Sequence, residues 1–121
     1  MLNCLYVGLG GFAGSVLRYL VGLLPFARDG LPWKTLGINV LGAFALGLLS
    51  ALAVKNPGLS PRLLLLLRVG VCGGFTTFST FAFETSALLQ SGQTWTAAGY
   101  MAASLVLGVA AAFAGQLCAN A

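Results

Sequence analysis

The chain has 121 residues, 59% hydrophobic and 7% charged, with a mean hydropathy of +0.96 and a net charge of +4. A water-soluble domain carries roughly 25% charged residues, so this composition excludes a soluble globule, and with it a soluble enzyme or a nucleic-acid binder. Histidine is absent, and Asp29 and Glu84 are the only acidic side chains, which leaves little material for acid–base pairs or histidine metal sites.

A bilayer core of ~30 Å is crossed by about 20 apolar residues in a helix, and four such runs follow one another. The first covers about residues 2–24 and is closed by Pro25 and the polar turn Arg28–Asp29–Gly30. It lacks the basic flank of a secretory signal and is expected to remain as a span. The second covers about residues 33–54 and stops at Lys55–Asn56–Pro57–Gly58. The third, about residues 61–90, is followed by Ser91–Gly92, and the fourth covers about residues 95–118. Pro32 and Pro61 stand where helix-starting prolines belong. Trp33 and Trp95 stand near span starts, as interfacial aromatics do. The connections are short, so residues 1–121 are read as a single all-α integral membrane domain. Cys4, Cys72 and Cys118 lie inside apolar stretches without metal or CxxC spacing, and are expected to be small buried apolar residues.

Orientation in a membrane follows the excess of Lys and Arg on one side. Here Lys55, Arg62 and Arg68 fall on one side and Arg28, Lys34 and Arg18 on the other, an even split. A chain with no bias inserts both ways up. Two opposed copies can then pair about a two-fold axis in the membrane plane, the symmetry that inverted repeats give larger transporters. An antiparallel, dual-topology homodimer is therefore expected, with membrane lipid as its surroundings.

Seventeen glycines are read first as close-packing positions, Gly10 and Gly14 forming a GxxxG pair in the first span. Gly8, Gly10 and Ala13 also fit a GxGxxA dinucleotide pattern, but inside a membrane helix with no preceding strand that match is spurious. The third span differs. Gly70, Gly73 and Gly74, followed by Thr76, Thr77, Ser79 and Thr80, make a poor helix near mid-span, and a broken third helix is expected there. Irregular backbone at membrane depth is tolerated where protein or a water-filled cavity satisfies it. Its freed carbonyls would suit a cation and its freed N–H groups an anion. On a helical wheel with Phe78 at zero, Phe75 and Phe81 fall at about +60° and −60°, while Thr76, Thr77, Thr80 and Glu84 fall between about 160° and 260°. Asn39 intrudes deep in the second span, one turn from Thr35, either as an interhelical clamp or as part of a polar path. Tyr100 and Ser104 share a face of the fourth span. Arg18 and Arg68 lie near enough to span ends to snorkel.

These residues carry a resemblance over essentially the whole chain. Gly10–Gly11–Phe12–Ala13–Gly14 with Arg18–Tyr19, then Gly37–Ile38–Asn39–Val40–Leu41–Gly42, and above all Gly73–Gly74–Phe75–Thr76–Thr77–Phe78–Ser79–Thr80–Phe81 resemble the CrcB/Fluc family of fluoride channels. The resemblance implies an antiparallel dimer with two anion pathways. It implies a sodium ion at the dimer centre, held by backbone carbonyls matching Gly73 and Thr76. It also implies an anion path lined by Asn39, Phe78 and Phe81 with the hydroxyls of Ser79, Thr80, Tyr100 and Ser104, and a vestibule position for Arg18.

Such residues suit a small, tightly hydrated anion. A selective path replaces its water with close donors, which amide and hydroxyl groups supply, and aromatic rings offer a positive edge. The implied activity is passive export of fluoride across the cell membrane (the inner membrane in a Gram-negative cell), lowering cytoplasmic fluoride and so its toxicity. A membrane potential drives each charge by ~2.3 kcal/mol per 100 mV. The alternative is a small dual-topology proton-coupled multidrug exporter, which needs a membrane-embedded acid in its first span. Residues 2–24 contain none.

Overall fold

The computed structural model describes residues 1–25 and 30–121. The expected turn residues Arg28 and Asp29, and the share of Arg28 in the charge split, lie outside the described residues. Four helical passages are long and apolar enough to cross a membrane, and among the described residues there is no strand. The first passage is α1 (Leu2–Gly22) and the second α2 (Trp33–Lys55). The third is composite. It opens with α3 (Pro61–Leu64), widens into a π-helical segment (Leu65–Cys72), returns to a short α4 (Gly73–Phe75) and ends in α5 (Phe78–Gln90). The fourth is α6 (Thr94–Ala119).

Local chemistry sets several of these boundaries. The Ser60 hydroxyl accepts from the Leu63 N–H at 3.4 Å with Pro61 in the first turn, where a missing N–H costs nothing. Gly92, with φ +82°, makes the turn between α5 and α6, a conformation closed to most side chains. Two lysines close carbonyl ends, which carry partial negative charge. Lys34 Nζ donates to the Gly22 carbonyl at 3.0 Å and Lys55 Nζ to the Ala119 carbonyl at 2.7 Å.

Helix pairing follows the glycines. α1 packs mainly on the π-helical segment and α4, while α2 packs mainly on α6. A Cβ on Gly10 would fall on the Leu66 carbonyl oxygen, and one on Gly14 on the Val71 carbonyl oxygen. Gly70 and Gly74 meet α1 in the same way, against Gly10 and Gly11. Across the molecule, Gly47 lies on the main chain of Ala112 and Gly115 on that of Phe44. Backbones in contact gain dispersion and weak C–H···O attraction, which replace the hydrophobic force that lipid removes.

The fully shielded core is small. Leu36, Leu88, Ala97 and Tyr100 form it, with Leu31, Val40, Phe81 and Ala103 packed around them. Many large apolar side chains lie outside it on exposed faces, including Leu5, Leu9, Leu105, Val109 and Phe113. That is costly in water and neutral in hydrocarbon. The cysteines divide accordingly: Cys72 is buried, but Cys4 and Cys118 are exposed. The expectation of three buried thiols fails for these two because an apolar residue on a lipid-compatible face needs no cover.

Candidate functional site

Between α4 and α5 the chain leaves helical geometry for two residues. Thr76 has φ −80°, ψ 156° and Thr77 has φ −150°, ψ 113°. The hydrogen bonds around this step are redirected. In a continuous helix the Thr77 N–H would reach the Gly73 carbonyl; here it donates to Asn39 Oδ1 at 2.8 Å. The Thr80 N–H would reach the Thr76 carbonyl; here it donates to Thr77 Oγ1 at 3.2 Å, and Thr77 caps α5. The carbonyls of Gly73 and Thr76 thereby lose their helical donors. The neighbouring carbonyls are taken by side chains. Asn39 Nδ2 donates to the Thr77 carbonyl at 3.0 Å, and Arg18 Nε donates to the Gly74 carbonyl at 3.2 Å. The N–H groups of Phe78 and Ser79, at the first turn of α5, have no acceptor one helical turn back.

Beside this step lies an open cavity of about 640 Å³. Of the residues singled out in the sequence, Asn39, Gly73, Thr76, Phe78, Phe81 and Ser104 line it. The rings of Phe78 and Phe81 lie 5.8 Å apart at 48°. Phe78 is 79% exposed in the single chain, so a large aromatic is presented to the cavity mouth without cover.

Four other singled-out residues stand elsewhere. Tyr100 is fully buried behind Phe81, in edge contact at 5.0 Å. Its hydroxyl donates to Glu84 Oε1 at 2.9 Å. Thr80 accepts from the Thr77 hydroxyl at 3.0 Å, and Ser79 is exposed with its hydroxyl 3.5 Å from the same oxygen. Arg18 sits on the α1 side of the step, at the Gly74 carbonyl.

The helical wheel fails at Phe75. That ring does not join Phe78 and Phe81 but lines a second cavity of about 250 Å³ with Val21, Leu24 and Trp33. Two extended residues between Phe75 and Phe78 break the 100° register on which the wheel depends.

Residues that the sequence reading left out of the site also matter. Glu84 accepts from Tyr100 and, at 3.1 Å, from Thr35 Oγ1, so one carboxylate ties α2, α5 and α6 together. Thr77 orders the start of α5, and a threonine ahead of a helical run is a capping signal visible in the sequence. Arg68 lines the large cavity rather than turning away from it.

The four passages, with a polar-edged cavity beside an interrupted segment, define a small multi-pass membrane protein of the kind that builds a path for solutes between helices. A family described as "CrcB-like protein, Camphor Resistance (CrcB)" matches residues 5–116. The chain is 51% identical over 121 residues to a protein of Chlorobaculum tepidum named "Fluoride-specific ion channel FluC", covering 99% of this chain and 96% of that one. It is 47% identical to a Rhizobium meliloti protein of the same name (95% and 94% covered), and 43% identical to one of Chlorobium phaeobacteroides (93% and 88%). The chain belongs to the CrcB-like family.

Proposed function

We propose that this protein is a fluoride-selective channel, not an enzyme, that exports the anion passively across the cell membrane and so limits fluoride toxicity. The observation that carries the reading is near-full-length identity to proteins named fluoride-specific ion channels, joined to a cavity where Asn39, Phe78, Phe81 and Ser104 meet. The exporter alternative gains nothing from these relatives, and α1 holds no acid.

The working unit is an antiparallel, dual-topology homodimer. The even charge split supports opposed insertion, and the bare Phe78 ring supports a second copy over the cavity mouth. Thr76 and Thr77 act as the break of the third membrane helix. Asn39 keeps one amide hydrogen free after bonding Thr77, and the hydroxyls of Ser79, Thr80 and Ser104 supply further donors along the route, while Tyr100, whose proton goes to Glu84, backs the Phe81 ring. Phe78 and Phe81 offer ring edges to a partly dehydrated anion, and the first N–H groups of α5 add positive potential. Arg18 fixes the Gly74 carbonyl and lends positive charge to the vestibule.

A sodium ion fits the carbonyls of Gly73 and Thr76. They lack helical donors, and among the described residues no cluster of His, Cys, Asp or Glu could hold a metal instead. Two carbonyls are too few for sodium, so the same pair from a second copy would complete the site. Bound there, the ion would supply a fixed positive charge near the anion route.

The test is fluoride efflux from liposomes containing the purified protein, with chloride as the comparison anion. Rapid fluoride loss with little chloride loss is expected. Equal rates, or none, would remove the proposal.

A further inference from the structure

Among the described residues two buried side-chain polar atoms find no hydrogen-bond partner, Arg68 Nε and Ser104 Oγ, and both residues line the same 640 Å³ cavity. Arg68 is partly exposed, but its Nε is shielded and unbonded, and a shielded donor left without an acceptor is disfavoured. Among the described residues the only acidic side chain is Glu84, and it is already engaged by Thr35 and Tyr100. Arg68 lies on the cavity wall, so its charge is carried at the cavity. Along the third passage Arg68, Cys72 and Thr76 follow at successive turns on the cavity wall, leading from the first arm toward the extended step.

From these observations we infer that Arg68, with the Ser104 hydroxyl, forms an anion-binding site in the cavity, on the approach to Asn39 and Phe78. It takes a small inorganic anion, fluoride in the first instance. This rests on the channel reading above and adds to it a cationic residue that gathers the anion before the aromatic stretch. Guanidinium charge is diffuse and weakly hydrated, so it raises anion occupancy without holding the ion as a compact ammonium would.

The experiment measures fluoride efflux from liposomes over a range of fluoride concentrations for the wild type, R68K, R68Q and R68M. Removing one charge a few ångströms from the ion should lower efflux at low fluoride by about tenfold, with the maximal rate little changed. R68K keeps the charge and should keep efflux at low fluoride, while its compact ammonium holds the ion longer and lowers the maximal rate. An unchanged concentration dependence in folded R68Q or R68M would overturn the site. So would neutral variants that fail to fold, or that lose the dimer while R68K keeps it, since Arg68 would then be a packing residue. A wild type that carries no fluoride would overturn the channel reading itself, and is told apart by that control alone.

Discussion

Asn39 grips the main chain of Thr77 at both ends of its amide, accepting from the Thr77 N–H at 2.8 Å and donating to the Thr77 carbonyl at 3.0 Å. One side chain of α2 therefore takes the N–H that the extended step frees at Thr77 and adds a second bond to the same residue's carbonyl. Asn39→Asp removes the donor to the Thr77 carbonyl and adds a negative charge to the cavity. The expected outcome is loss of fluoride efflux together with a destabilisation of about 1–3 kcal/mol. Liposome flux and thermal unfolding in detergent check both. Retained flux would mean that Asn39 is only a clamp.

Phe78→Ile should suppress fluoride efflux and leave the subunit folded, because the Phe78 ring is mostly uncovered within it. Phe81→Ile should suppress efflux too but cost about 1 kcal/mol more, since Phe81 also packs edge-on against Tyr100. Unchanged flux in either variant would eliminate the aromatic edge as an anion contact.

Tyr100→Phe tests the Glu84 tie between helices. The loss of one bond to a charged acceptor should lower stability by about 1.5–3 kcal/mol, seen as a fall in melting temperature. Thr35→Val removes the second donor to the same carboxylate, and the double variant should be less than additive. Strict additivity would show that the two donors are independent.

Gly10→Ala and Gly14→Ala place a methyl group on main-chain oxygens of the π-helical segment. Backbone cannot step aside cheaply, so each should cost about 1–3 kcal/mol. Gly99→Ala and Gly108→Ala meet nothing within 4 Å and serve as matched controls with little effect. Equal melting temperatures across all four would contradict the packing.

The sodium proposal predicts that replacing sodium by a large organic cation lowers both dimer stability and fluoride efflux. Identical values in the two media would remove the ion from the reading.

Much of this architecture was legible because membrane crossing imposes length and apolarity directly. The second run was read from Trp33 and the third from Pro61, and α2 and α3 start at those residues. The first helix stops at Gly22 rather than at residue 24, since hydropathy marks what lipid tolerates and not where hydrogen bonding ends. Asn39, Phe78, Phe81 and Ser104 stand out as polar or aromatic residues in otherwise aliphatic runs, the resemblance implies their part in an anion path, and they line one cavity. Glu84 stood out as a carboxylate on the hydroxyl face, but its ties to Thr35 and Tyr100 depend on three helices meeting, and no single-helix periodicity encodes that. Phe75 was misplaced for a related reason: a wheel assumes the regular rotation that Thr76 and Thr77 abandon. Nor does the composition of Leu65–Cys72 signal a π-helical winding; its fit against Gly10 and Gly14 is a property of the pair.

Lys34 and Lys55, at opposite ends of α2, each close a helix terminus of another passage. The balance of positive charge between the two membrane faces is thus partly anchored in tertiary architecture. A mutation erasing either lysine would tilt the insertion vote and loosen a terminus in the same stroke. On the dual-topology proposal, drift toward a fixed orientation by that route would also cost the fold one of these two bonds.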